Sequence, residues 1–289
     1  MTDQIGQWHT ARMSEAADHG SFATHDIIYG QDTVTKRFQP WARAEAGREW
    51  QALNMLVEHA PGLAPEPIGA DLDAQRPVVV MSRLPGRPLS SGPVNAAELE
   101  ALVTSVDRLH HAIPASVLTG IETSDSLRKV EDRTRRMAAG CSRGSLAPEV
   151  RDAYDGAVGW LDEEWPALAA TTISWPVFAQ SDGNLANFLW DGHNVRMVDF
   201  EDAGKGDRAR ELADFVEHLA VWDRGNVNAD MFLSRFNLST AEHHRVMSLR
   251  PLFAAFWLMM LMPGGPAHHR NPVGTLDRQA ARLLGLIRR

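Results

Sequence analysis

The chain has 289 residues, 44% of them hydrophobic and 23% charged, a globular composition that excludes a disordered or fibrous chain and suffices for one large domain or two lobes. Its 29 Lys+Arg against 37 Asp+Glu leave a formal charge of -8, which disfavours nonspecific nucleic-acid binding because phosphates call for a basic patch. A single cysteine, Cys141, excludes a disulfide framework and a multi-cysteine zinc site.

In chain order, the start Met1-Thr2-Asp3-Gln4-Ile5-Gly6-Gln7-Trp8 has neither the basic opening nor the apolar stretch of a secretory signal, so the expected location is the cytoplasm. Ile27-Ile28-Tyr29 and Thr33 to Phe38 flank Gly30-Gln31-Asp32 and predict a β-hairpin. A helix follows over 42–59, with Trp50, Leu53, Met55, Leu56 and Val57 as its apolar stripe, and Pro61, Pro65 and Pro67 break it. Pro77 to Met81 reads as a short buried strand running into the turn-rich Ser82-Arg83-Leu84-Pro85-Gly86-Arg87-Pro88. This marks a boundary: residues 1–85 form a β-rich front with a hinge at 82–88, and residues 89–289 a mostly helical back.

Helices are predicted over 95–112 and 147–165, a loop and hairpin over 178–200, and helices from Arg210 onward. The longest apolar run, Leu252 to Met262, is too short for a bilayer, which needs about 20 residues. It reads as a buried helix opened by Pro251 and closed by Pro263-Gly264-Gly265, so no membrane partner is expected. The expected fold class is α+β, a small β-rich lobe and a larger helical lobe meeting at a cleft, a frequent place for ligands.

The most informative stretch is 180–202. Asp191-Gly192 is a turn signal between apolar runs, so Asn187 and Asp199 are expected to lie roughly opposite each other at the open end of a hairpin. An amide oxygen and a carboxylate there suit Mg²⁺. Asp182, five residues before Asn187, would reach a substrate hydroxyl beside that metal, as phosphoryl transfer requires. The same residues also suit a loop whose Asp and Asn side chains bond their own backbone, with Asp199 ending a strand.

Asp182-x-x-x-x-Asn187, the hairpin, Val198-Asp199-Phe200-Glu201-Asp202, Gly206-Asp207 and Arg210-Glu211-Leu212-Ala213 together resemble the aminoglycoside phosphotransferase and choline kinase-like family, which shares the protein kinase fold. The resemblance implies Asp182 as the catalytic, substrate-orienting carboxylate and Asn187 and Asp199 as Mg²⁺ ligands. The chain departs from the family's His-Gly-Asp at Gln180-Ser181, where the histidine is a scaffold for the loop. Lys36 would hold the phosphates of ATP or GTP, oriented by Glu49, with Glu45 as the alternative one helical turn earlier; a lone strand lysine also suits a solvated edge. Met81 to Gly86 resembles the hinge, with backbone groups of Ser82 and Leu84 against the nucleobase. Gly20-Ser21-Phe22-Ala23-Thr24 is the best candidate for the phosphate-covering loop, with Ser21 against phosphate.

The acceptor would be a small hydroxyl compound, an aminoglycoside-like antibiotic or a metabolite. Glu201, Asp202, Glu217, Asp223 and Asp230, with Trp222 and Trp257 as walls, are candidates for holding it. Paired acids with tryptophan suit a cationic or polyhydroxylated molecule. The activity implied is an Mg²⁺-dependent small-molecule kinase; the alternative is a nucleotide-binding pseudokinase with a regulatory role. Gly204-Lys205-Gly206-Asp207-Arg208-Ala209 formally fits a dinucleotide fingerprint but does not directly follow its strand, and Asp202 and Asp207 would repel a pyrophosphate. A structural loop with Asp207 bonding backbone amides is the better account. The histidine pairs lack chelating spacing, and Lys129, Arg133, Arg135 and Arg136 read as a solvated basic face.

Overall fold

β-Branched residues on both sides of Gly30-Gln31-Asp32 favour extended chain. They form β1 (Asp26–Tyr29) and β2 (Thr33–Arg37), antiparallel, with Ile27 opposite Lys36. The structure is a computed structural model that describes residues 25–124, 126–142, 144, 146–171 and 175–288. Ser21 and the rest of the Gly20–Thr24 phosphate-loop candidate lie outside the described residues.

After β2 comes α1 (Arg43–His59), then β3 (Pro67–Asp71) and β4 (Val78–Ser82). The sheet order is β1-β2-β4-β3, all antiparallel. The buried face of α1 is Ala46, Glu49, Ala52, Leu53 and Leu56, a helical spacing that packs against this sheet. Glu49 is the acid on that apolar face, so the helix's packing requirement carries a carboxylate under β2.

The chain leaves β4 through Arg83–Gly86 into β5 (Arg87–Pro88) and then α2 (Ala96–Ala112). Asn95 caps α2: its side-chain oxygen accepts from the amides of Ala97 and Glu98, and the Glu98 carboxylate accepts from the Asn95 amide. The short α3 (Ala115–Leu118) precedes α4 (Leu127–Gly140), α5 (Pro148–Glu163) and α6 (Trp165–Ala169). On α4 the basic face is tied to neighbours: Arg135 reaches Glu131 and Asp162, and Arg133 lies over the Phe256 ring.

The predicted loop and hairpin comprises β6 (Pro176–Ala179), a 3₁₀ turn at Leu185–Asn187, β7 (Phe188–Trp190) and β8 (Val195–Met197). β5 pairs with β7, joining the segment after the hinge to the hairpin, and β9 (Gly204–Asp207) pairs with β6. Thus Gly204 to Asp207, the start of the formal dinucleotide fingerprint, is a strand rather than a phosphate turn. Its glycines serve close approach: a Cβ at Gly204 would meet the Glu122 carbonyl oxygen at 2.7 Å, and one at Gly206 the Ala179 Cβ at 2.7 Å. Asp207 caps α7 (Arg208–Glu217) by accepting from the Ala209 amide.

A π-helical turn at Ala220–Arg224, α8 (Ala229–Leu233), α9 (Thr240–Leu261) and α10 (Thr275–Ile287) complete the helical part. Pro251 does not open the apolar helix as the sequence suggests. A Ser239–Glu242 capping box starts α9 well upstream, and the helix continues through Pro251 in its buried interior. The missing proline N–H costs one ladder bond, and packing of α9 against α4, α7 and α10 holds the helix together across it. One apolar core runs from Phe38 and Leu53 beneath the sheet to Phe200, Phe215 and Phe253. Among the described residues, no helix is long and apolar enough to cross a membrane.

Candidate active site

β2 turns the Lys36 side chain inward, where it is buried. Its Nζ lies 3.0 Å from Glu49 Oε2 and 2.7 Å from Glu201 Oε2, and it also contacts Asp199 Oδ1. Burial works against the ammonium, but the three carboxylates outweigh it and hold the Lys36 pKa above its ordinary value. Glu49 also accepts from the Phe200 amide at 3.1 Å, tying α1 to the segment after β8. Glu49 is the acid of α1 that meets Lys36, whereas Glu45, one turn earlier, faces His25 at 3.2 Å.

The other half of the site comes from the β6–β7 connection. The Asp182 carboxylate accepts from the Asn184 amide at 3.0 Å through Oδ1 and from Asn187 Nδ2 at 2.8 Å through Oδ2. Burial, reinforced by the negative charge of Asp199, raises the Asp182 pKa to about 6 although the side chain keeps 38% of its surface. The hairpin register is one residue from the expected one: Phe188 pairs with Met197, and the Val198 amide donates to the Asn187 carbonyl, so Asp199 stands one step past the position opposite Asn187. Asp199 has a positive φ of 69°, a conformation sparsely populated by non-glycine residues and concentrated at functional sites.

Gln180 and Glu211 hold these two acidic segments together. Gln180 Nε2 donates to the carbonyls of Val198 (2.6 Å) and Asp199 (3.3 Å), while its amide donates to Glu211 Oε1 at 2.8 Å. The buried Gln180 therefore does the scaffold work expected of the family's histidine. Ser181, where the family has glycine, is held at φ 66° with its buried Oγ unpartnered among the described residues, which explains why glycine is usual there. Glu211 faces His110 at 3.4 Å. In the sequence Glu211 stands out only as part of a motif; its clamping contacts arise from the fold.

Carboxylates of Glu49, Asp199 and Glu201 cluster tightly enough to hold an ion, as do His25, Glu45 and Glu201. The Lys36 ammonium already reaches all three acids of the first group. In the second, His25 Nδ1 accepts from the Gln39 amide at 3.3 Å, so Nε2 carries the proton and faces Glu45 and Glu201 as a donor. Neither group then offers a vacant ligand set. Asn187 fits a hard cation better: its amide nitrogen is spent on Asp182, which leaves Oδ1 as the accepting atom, and Asp199 keeps a second oxygen besides the one on Lys36.

The acceptor candidates disperse. Glu201 belongs to the Lys36 cluster, a correction that follows from its side chain turning toward β2. Glu217 is fully buried, with Oε1 2.6 Å from Arg250 Nε and Oε2 2.6 Å from Arg282 Nε, so it faces no cleft. Asp223 is held by Arg278 at 2.7 Å, and Trp222 lies beneath the Arg282 guanidinium at 4.9 Å. Helix packing takes up these groups because a buried acid needs a paired cation. Asp202 stays at the rim, 3.8 Å from Arg48, and Asp230 is exposed beside Arg250. At the hinge, the Ser82 amide is taken by the Glu66 carbonyl at 2.9 Å, while Leu84 lies beyond the strand.

Residues 23–248 match the family described as the phosphotransferase enzyme family, APH. The chain belongs to this family. It is a phosphotransferase by that membership, and its fold is the protein kinase-like α+β fold of such enzymes. A choline/ethanolamine kinase family protein from Mesorhizobium loti is 20% identical, over 91% of this chain and 85% of that one, with a TM-score of 0.60. Aminoglycoside 2'-phosphotransferase-IIIa in its GDP complex is 15% identical over 98% and 94%, with a TM-score of 0.63. An aminoglycoside phosphotransferase from Alicyclobacillus acidocaldarius is 15% identical over 93% and 90%, with a TM-score of 0.56. At these identities the likeness is one of fold. No curated protein matches the chain.

Proposed function

We propose that this phosphotransferase is an Mg²⁺-dependent small-molecule kinase of the cytoplasm, moving the γ-phosphoryl group of ATP or GTP to a hydroxyl of a small acceptor. The observation that carries the reading is the convergence of two separately built halves. Lys36 on β2 contacts Asp199 after β8, and Asp182 with Asn187 stands beside Asp199 on the same cleft floor.

In this reading Lys36 exchanges carboxylate partners for the nucleotide phosphates, with Glu49 keeping its ammonium aimed. Backbone groups of Ser82 and Leu84 meet the nucleobase; for Ser82 this means the carbonyl, its amide being used in the sheet. Asn187 and Asp199 would hold Mg²⁺, which when bound neutralises charge on the phosphates. Three carboxylates around one lysine leave surplus negative charge, so a polyanionic nucleotide enters this cleft only with a compensating cation. Asp182 orients the acceptor hydroxyl and takes its proton; the Asn184 and Asn187 donors fix its carboxylate, and a pKa of about 6 leaves it ionised at neutral pH while still a competent base. Members of the fold act on chemically different acceptors, as the names of its neighbours show: one is a choline/ethanolamine kinase family protein and another an aminoglycoside phosphotransferase.

The pseudokinase alternative gains no support, because Gln180 and Ser181 preserve the loop's ties to Asp199 and Glu211. The test is transfer from ATP or GTP with Mg²⁺ to a panel of aminoglycosides, amino alcohols and sugars. Asp182→Asn is expected to lower transfer by about 10²–10⁴-fold with nucleotide binding retained. Equal turnover in the two proteins removes Asp182 from the chemistry.

A further inference from the structure

His218 belongs to no sequence motif, yet it stands beside the carboxylate on which the proposed transfer depends. It ends α7 and is buried to 12% side-chain exposure, with Nε2 3.9 Å from Asp182 Oδ1. Its ring is located by three contacts. The Ala220 amide donates to Nδ1 at 3.1 Å. The Trp257 ring meets it edge-on, with centroids 4.5 Å apart. Gly183 underlies it so closely that an added Cβ would lie 3.2 Å from the His218 Cβ and 3.0 Å from the Phe215 Cα. The glycine next to the catalytic carboxylate thus makes room for this histidine.

Those contacts fix the ring's chemistry. Because Nδ1 accepts a hydrogen bond, the proton of the neutral ring resides on Nε2, the nitrogen facing Asp182. Burial, with the Arg224 charge adding to it, lowers the His218 pKa to about 3, so the ring stays neutral and keeps that single donor throughout the working range. The 3.9 Å gap is too long for a direct hydrogen bond. One oxygen at an ordinary distance of about 2.8 Å from both atoms fits between them.

We propose that His218 is a positioning residue of the acceptor subsite, whose Nε2–H donates to the oxygen of the acceptor hydroxyl while that hydroxyl donates to Asp182. The inference rests on the phosphotransfer reading above. The hydroxyl oxygen then has both its proton and one lone pair oriented, leaving another lone pair for attack on phosphorus. As the P–O bond forms, the hydroxyl proton passes to Asp182, the bond to the nucleoside diphosphate breaks, and His218 stays neutral throughout. Glu217 and Asp223, acids that would otherwise suit an ammonium group, are bonded to arginines instead.

Water, the simplest hydroxyl acceptor, is a sufficient probe. Phosphate release from ATP or GTP with Mg²⁺ is measured on the full chain and on three variants. His218→Phe keeps the ring against Gly183 and Trp257; His218→Asn keeps the Ala220 contact but does not reach Asp182; His218→Gln restores a donor near the Nε2 position. The Phe and Asn variants are expected to lose about tenfold in kcat, the worth of one hydrogen bond. Nucleotide KM and the position of the acid limb of the pH profile stay unchanged, and the Gln variant recovers activity. Asp182-dependent release that is the same in wild type and the Phe variant overturns the proposal while leaving the kinase reading standing. Release indifferent to Asp182→Asn removes Asp182 from the chemistry and the His218 role with it, while absence of both release and transfer to the acceptor panel overturns the kinase reading. Nitrogen-15 NMR of the His218 ring provides an arm independent of turnover: a neutral Nε2–H tautomer from pH 5 to 8 is expected, and an Nδ1–H tautomer or a titrating ring refutes the donor assignment.

Discussion

Two clusters of buried charge in this molecule have opposite compositions. Around Lys36, three carboxylates from one helix and one loop face one ammonium, and Asp199 and Glu201 keep 37% and 20% of their side-chain surface. Around Glu217, two arginines from α9 and α10 enclose one carboxylate that keeps none. The first cluster is acid-rich and open to the cleft, so it has charge left over for a cation and a phosphate-bearing ligand. The second is closed and compensated, so its charges serve packing. An acid's function here depends on what surrounds it, even where its residue type and its neighbours in the sequence look equally promising.

The contrast can be broken in four ways. The largest effect is expected at the closed cluster: Glu217→Ala leaves Arg250 and Arg282 buried without their acid and costs about 3–5 kcal/mol of stability. Chemical denaturation would measure it, and a variant as stable as wild type would show that the cluster is dispensable to the fold. Next is Lys36→Met at the open cluster, expected to lower phosphoryl transfer by about 10²–10³-fold. Its loss of stability should be smaller than that of Glu217→Ala, since Asp199 and Glu201 are partly exposed to water and the buried Glu49 keeps the Phe200 amide and can take up a proton. If Lys36→Met destabilises more than it inactivates, the two clusters are alike.

A third test uses pH. Asp182 works as an ionised base and its pKa is raised to about 6, so kcat/KM should be level above pH 7 and fall as pH drops through about 6. The sign follows from protonation of the base at low pH. Asp182→Asn should abolish this limb along with the activity. The smallest effect is expected at Ser181→Gly, which relieves a φ of 66° and removes a buried hydroxyl without a partner. It should raise stability by about 1 kcal/mol with transfer unchanged; a loss of activity would mean that Ser181 contributes more than backbone.

The hairpin around Gly30-Gln31-Asp32, the helix over 42–59 and the hairpin turning at Asp191-Gly192 were legible because turn chemistry and apolar period are local signals. Lys36, Glu49, Asp182, Asn187 and Asp199 were singled out by the resemblance of their motifs to a known family, and the structure places Lys36 against Glu49 and Asp199 and Asn187 against Asp182. The exact register was not legible, since one residue of slip in the β7–β8 pairing leaves the sequence pattern almost unchanged. Pro251 misled because a helix start was read from a proline, while the stronger start signal was the Ser239–Glu242 box.

The sequence by itself determined that the chain is an acidic α+β protein with a phosphotransferase motif, because these properties reside in composition and in residues close along the chain. The tertiary structure decided which acids remain free to act. Glu201 joins Lys36 across the cleft, Glu217 and Asp223 disappear into arginine pairs, and His218 meets Asp182 only because α7 ends against Gly183. The reason is physical: charge and hydrogen-bond partners are set by neighbours in space, and a buried ionic group is defined by the partner that packing brings to it.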